Sequence, residues 1–158
     1  MFLTALLVTS LASSAAGASQ LKPASVEDVV AAAMTCLDAT TSKGPEVSRL
    51  AAAGWVEALD SAGRPVTRGG HLFRKPNISA EIAAVGPVCS LVAPVASFDD
   101  VKATLSGVDD AVHPDRFKKV DRGILFQKGS HNLLFFVGSP SVKAPAAVRI
   151  DVTNMESH

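Results

Sequence analysis

Charge of either sign is missing from the first 21 residues, and none is left over in the whole chain, where 15 basic and 15 acidic side chains cancel. That balance removes bulk electrostatics as a way of steering the protein to nucleic acid or to an anionic membrane surface, so neither is an expected partner. Cysteine is nearly absent. Cys36 and Cys89 are the only two, and they do not form a C-x-x-C pair of the kind that lowers a thiol pKa, which sets aside thiol-redox catalysis. No G-x-S-x-G elbow occurs, and Arg68-Gly69-Gly70-His71 lacks both the lysine and the strand-to-helix setting of a phosphate-binding loop. EF-hand and H-E-x-x-H spacings are missing as well, so no metal and no other cofactor is expected.

What is present suits one folded domain. Residues of hydrophobic type make up 47% of 158, enough for a real core. Part of that content sits in the uncharged start, where Met1-Phe2-Leu3-Thr4-Ala5-Leu6-Leu7-Val8 leads into a tract of small residues and an Ala16-Gly17-Ala18 cleavage signature. The pattern reads as a secretory signal peptide over residues 1–18, followed by a single α+β domain over 19–158. An uncleaved anchor is the lesser alternative, because the Ser, Gly and Ala content from position 13 onward is poor for a bilayer span. No cysteine stands near the cleavage point to carry a lipid, so no stable membrane anchor is expected after cleavage. Expected localisation is therefore periplasmic or secreted.

Hydrophobic periodicity gives the elements. Ser25-Val26-Glu27-Asp28 is a capping-box-like start to a helix over 26–39, with Val29, Ala33 and Cys36 on one apolar stripe. A break at 40–44 follows, then a short helix over 46–53 stopped by Gly54, and strands over 55–59 and 66–75. Residues 78–93 read as a hairpin turning at Gly86-Pro87. Ser97-Phe98-Asp99-Asp100 opens a second helix that ends near Gly107, and strands over 116–120, 124–128, 132–137 and 148–152 complete the chain. Helix-then-four-strands thus occurs twice. With no evident residue identity between the halves, an ordinary meander is the leading reading and duplication the lesser. Hairpin-length connections imply an antiparallel sheet of about six to eight strands, with the N-terminal and central helices packed on one face.

In an oxidising compartment the two cysteines have one intramolecular pairing, Cys36 with Cys89, joining the first helix to the return strand of the hairpin. Leu133-Leu134-Phe135-Phe136-Val137 is apolar at every position, as expected of a strand buried on both faces; the competing reading is a ligand or partner surface. Trp55, Leu133, Phe135 and Phe136 are accordingly the candidate residues of such a surface. Trp55, the single tryptophan, is first of all a core anchor.

Polar candidates are weaker. Asp109, Asp110, His113 and Asp115 crowd one segment, but turns are rich in Asp and Pro for backbone reasons alone. His113-Pro114-Asp115 resembles the tripeptide of J-domain cochaperones in those three residues only, and acids rather than a basic helix precede it. Ser130 beside His131, with His71 elsewhere, could serve nucleophilic catalysis only if the fold gathers them, and no catalytic residue is assigned. The order of leader, cysteine-bearing helix, Gly-Trp strand start and second cysteine before another helix resembles small uncharacterised exported α+β proteins of Gram-negative bacteria. The likeness is one of layout and implies no activity. The function expected from these observations is a non-catalytic exported binding module for a protein or a small apolar ligand, with a small hydrolase using Ser, His and Asp as the alternative.

Overall fold

A computed structural model describes residues 22–66, 70–83, 88–107, 117–121, 123–138 and 146–156. The leader expected at 1–18, the turn at Gly86-Pro87 and the segment carrying Asp109, Asp110, His113 and Asp115 lie outside the described residues.

Helix α1 (Val26–Ala39) begins where Ser25 Oγ accepts the Asp28 N–H at 3.1 Å, with Glu27 and Asp28 placing negative charge at the positive end of the helix. Its stripe of Val29, Val30, Ala32, Ala33, Cys36 and Leu37 is buried. The expected break at 40–44 is more ordered than a loop: β1 (Thr40–Thr41) and β2 (Gly44–Pro45) pair antiparallel across a turn that Gly44 enters at φ 112°. Helix α2 (Val47–Ala52) then buries Leu50. Strand β3 (Val56–Glu57) is shorter than the expected 55–59, because beyond it the chain closes on itself through Asp60 N–H to Arg64 O at 2.7 Å.

The remaining strands are β4 (Gly70–Lys75), β5 (Ile78–Ala83), β6 (Val88–Val95), β7 (Phe117–Val120), β8 (Gly123–Lys128), β9 (His131–Val137) and β10 (Ala146–Asn154), with helix α3 (Phe98–Gly107) between β6 and β7. They build one antiparallel sheet in the order β3-β4-β5-β6-β10-β9-β8-β7. The helices gather on one face, α1 against β5, β6 and β10 and both α2 and α3 against α1, so the α+β architecture and one-sided helix layer expected from sequence are present. Cys36 and Cys89 are joined by a disulfide across this interface, with Cα atoms 5.6 Å apart. The core is the inward row of the sheet under α1 and α3, with Phe73, Ile82, Leu91, Phe126, Leu133, Phe135 and Ile150 buried.

This layering corrects two expectations. Strand β9 is not buried on both faces: Leu133 and Phe135 point under the helices, whereas Leu134 and Phe136 lie half-buried on the face that no described helix covers. Leu133 and Phe135, both at 0% exposure, are core and offer no surface to a partner, since a strand with helices on one side buries alternate residues only, while Trp55, at 4%, is the core anchor expected of it.

The sheet is two four-stranded meanders joined edge to edge by the β6–β10 ladder, and the halves, expected to share no residues, do share some at matching places. Gly70, Leu72, Phe73 and Lys75 of β4 recur in step as Gly123, Leu125, Phe126 and Lys128 of β8. The two strands bury the same single residue, and each passes through a two-residue turn into its successor. Each opening glycine meets the same obstacle. A Cβ on Gly70 would stand 1.9 Å from the Ile82 carbonyl oxygen, and one on Gly123 would stand 2.1 Å from that of Phe135, the residue at the matching position of β9.

The central ladder obeys the same relation. Ile82 faces Cys89 as Phe135 faces Ile150, so Cys89 of one half corresponds to Ile150 of the other. Exchanging the halves turns the pair Leu91–Ile150 into Val152–Cys89, which is also a ladder pair, and leaves Ser90 opposite Asp151. An approximate twofold axis therefore passes through Ser90 and Asp151.

Candidate functional site

On the uncovered face, the axis is marked by a polar cluster. Ser90 Oγ donates to Asp151 Oδ1 at 2.7 Å, Arg149 Nε donates to the same oxygen at 2.8 Å, and the guanidinium lies 5.6 Å from the centre of the Phe136 ring. Asp151 raises the Arg149 pKa above its ordinary value, first by this hydrogen bond and then by charge, and Glu81 adds a smaller pull. The depression here is about 150 Å³, large enough for a few waters but not for a drug-sized ligand. Within the cluster Asp151 Oδ1 is shared by Ser90 and Arg149, and Glu81 stands exposed at the edge of the depression.

A larger hollow lies at the corner of the second half, where β7 ends, β8 begins and β9 ends. Its volume is about 670 Å³, within the range of about 300–1,000 Å³ typical of small-molecule sites. Aromatic packing makes its floor: Phe117 stacks on Phe126 with ring centres 4.6 Å apart, and Phe135 stands 6.2 Å from Phe117 and 5.7 Å from Phe98 of α3. Ile124 and the exposed Val120 and Val137 extend the apolar wall, and Phe136 reaches it from the neighbouring row. Lys102 of α3, Lys119 of β7 and Asp121 supply the polar rim. Lys102 Nζ is 3.2 Å from Asp99 Oδ1, and Asp99 is 87% exposed, so that pair is weakly held.

The corresponding corner of the first half is filled differently. Glu57 faces Phe73 as Phe117 faces Phe126, and His71 stands where Ile124 stands in the repeat. In the first half these positions carry a hydrogen-bonded pair, His71 Nδ1 with Glu57 Oε1, both side chains partly exposed. In the second half both positions are apolar.

The sequence-derived candidates are thus scattered. Phe136 is half-buried at the hollow and Phe135 lies fully buried beneath it, while Trp55 packs in the first half with Lys75 Nζ 5.3 Å from its ring centre. His131 Nε2 donates to the Thr40 carbonyl at 2.6 Å, and Asn154 Nδ2 approaches the same oxygen at 3.4 Å, so the imidazole closes the end of α1. Ser130 lies in the β8–β9 turn, where its carbonyl accepts the Met155 N–H. Among the described residues no serine hydroxyl bonds to a histidine, and His71 belongs to the other half of the sheet. Sequence reasoning missed Lys102, Phe117, Lys119 and Ile124, which gather only when α3 folds over the β7–β8 hairpin. The signal that could have found the corner is the G-x-L-F-x-K repeat, which aligns the halves and exposes the exchange of His71 for Ile124. Comparison of the chain with family models, curated proteins and solved structures finds no match.

Proposed function

We propose that this protein is a non-catalytic binding module of the periplasm or the extracellular space that takes a small apolar ligand at the corner of β7, β8 and β9. The observation that carries the reading is the hollow of about 670 Å³ walled by the half-buried Phe117 and Ile124 and the exposed Val120 and Val137. Apolar side chains facing a solvent-filled recess sacrifice burial, and a ligand of matching chemistry recovers it at about 25 cal/mol per Å². Its placement at a rigid sheet corner, with the floor fixed by stacked rings, favours a preformed site over one built on binding. The export reading is supported by the buried Cys36–Cys89 disulfide, which persists in oxidising compartments, and by the uncharged start of the chain. No helix among the described residues is long and apolar enough to cross a membrane.

The test is a titration with N-phenyl-1-naphthylamine, an uncharged apolar fluorophore. Wild type is expected to bind it saturably at one site. Val137→Trp, which fills the mouth of the hollow from an exposed position and should not disturb folding, is expected to weaken binding about tenfold or more. Absence of saturable binding to the wild type, or equal binding by the variant, would remove this corner as the ligand site.

A further inference from the structure

We infer that the ligand of this corner is an anionic amphiphile, with its apolar body on Phe117, Ile124 and Val137 and its charged head between Lys119 and Lys102. The inference rests on the binding reading above and adds the ligand's charge. It comes from comparing one place in the two halves of the repeat.

Framework positions are kept between them, Gly70 with Gly123 and Phe73 with Phe126, while the two positions that face the corner have changed together. Glu57 gives way to Phe117 and His71 to Ile124, so the acid that the first half holds at this place is absent from the second. What the second half adds is cationic. Lys119 is on β7, two residues beyond Phe117 and so on the same face, and no acid among the described residues pairs with it. Lys102 reaches the same hollow from α3, its ammonium 3.2 Å from the exposed Asp99 carboxylate and 5.8 Å from the centre of the Phe98 ring. An incoming anion can replace that carboxylate at little cost, because water screens an exposed pair of this kind. Among the described lining residues, Asp121 at the rim is the one carboxylate beside the two ammonium groups. Two separated cations over a hydrophobic floor match a head and a body rather than a wholly apolar molecule, for which the lysines would only have to be desolvated.

The experiment is calorimetric titration of the full chain with dodecanoate, dodecyl phosphate and dodecanol, which share an alkyl body and differ in the head. At least one of the two anions is expected to bind about tenfold more tightly than dodecanol, and which of them binds better distinguishes carboxylate from phosphate. Lys119→Glu, at an exposed position, is expected to erase that margin, and added salt should weaken the anions alone. Equal binding of all three by the wild type would overturn the anionic head while sparing the apolar site. Binding of none of them, together with no binding of N-phenyl-1-naphthylamine, would overturn both readings. An anion margin that survives in Lys119→Glu and in Lys102→Gln would place the head elsewhere and overturn the assignment.

Discussion

At the scale of single residues, two glycines carry more of the fold than their size suggests. Gly70 and Gly123 each open a strand whose neighbour's carbonyl occupies the space a Cβ would need, at 1.9 and 2.1 Å. The obstacle is backbone of the adjacent strand, which cannot rotate away as the end of a side chain could, so a methyl group there has to prise the ladder apart. Gly70→Ala and Gly123→Ala are each expected to cost about 1–3 kcal/mol, measured as a lowered urea midpoint with an unchanged slope. Wild-type midpoints in both variants would show that the strands close less tightly than described. His131 illustrates the opposite outcome, a residue of catalytic type used for structure. Its ring satisfies the carbonyl that ends α1, one of the acceptors a helix leaves open, while Thr40 Oγ1 donates back to Cys36 O at 2.7 Å.

Among the elements, α1 is the one tied to the sheet by a covalent bond as well as by packing. The Cys36–Cys89 bridge spans a sequence separation of 53, for which the chain-entropy model gives about 4 kcal/mol. Both sulfurs lie in residues exposed by 1% or less, so a reductant must wait for α1 to lift from β6 before it can act. The Cys36→Ser/Cys89→Ser variant is accordingly expected to melt roughly 10 °C below the wild type. Native protein held in mild reductant should lose the bridge only slowly, followed by thiol counting over time. Rapid appearance of two thiols at room temperature, or a variant that melts with the wild type, would show that the clasp contributes little. Strand β9 teaches a different lesson about elements. Its unbroken apolar run would suit burial on both faces, yet Leu134 and Phe136 face the side without helices, so composition alone overstates how deep a strand lies.

Over the whole molecule, the approximate twofold through Ser90 and Asp151 makes the β6–β10 ladder the seam between equivalent halves. The seam is continuous core, with Leu91 opposite Ile150 and Cys89 opposite Val152, all buried. Such a seam should prevent either half from unfolding alone. Trp55 reports only on the first half, whereas far-ultraviolet circular dichroism reports on both. Urea transitions followed by the two signals are expected to coincide, and to stay coincident in Ile150→Ala while moving down by about 2–5 kcal/mol. Separate transitions would mean that the halves are independent units. The same symmetry gives the corner of β7, β8 and β9 its meaning, since only comparison of equivalent places shows a Glu–His pair exchanged for an apolar hollow.

Local signals in the chain are enough for most of the elements and for the clasp. Period-2 and period-3.6 patterns, the Ser25 cap and hairpin-length connections are local signals, and with only two cysteines there was one pairing to consider. The chain also held the repeated G-x-L-F-x-K in plain view, a signal that gains force only once β4 and β8 occupy matching places in the sheet. Only the packed fold settles which face each strand shows to the helices, and so turns Leu133 and Phe135 from surface candidates into core. It alone brought Lys102 of α3 over Phe117 and Lys119 of β7. Hydrophobic periodicity records that a side chain is covered, but the identity of what covers it depends on the packing of elements distant in sequence, and the binding corner is made of such meetings.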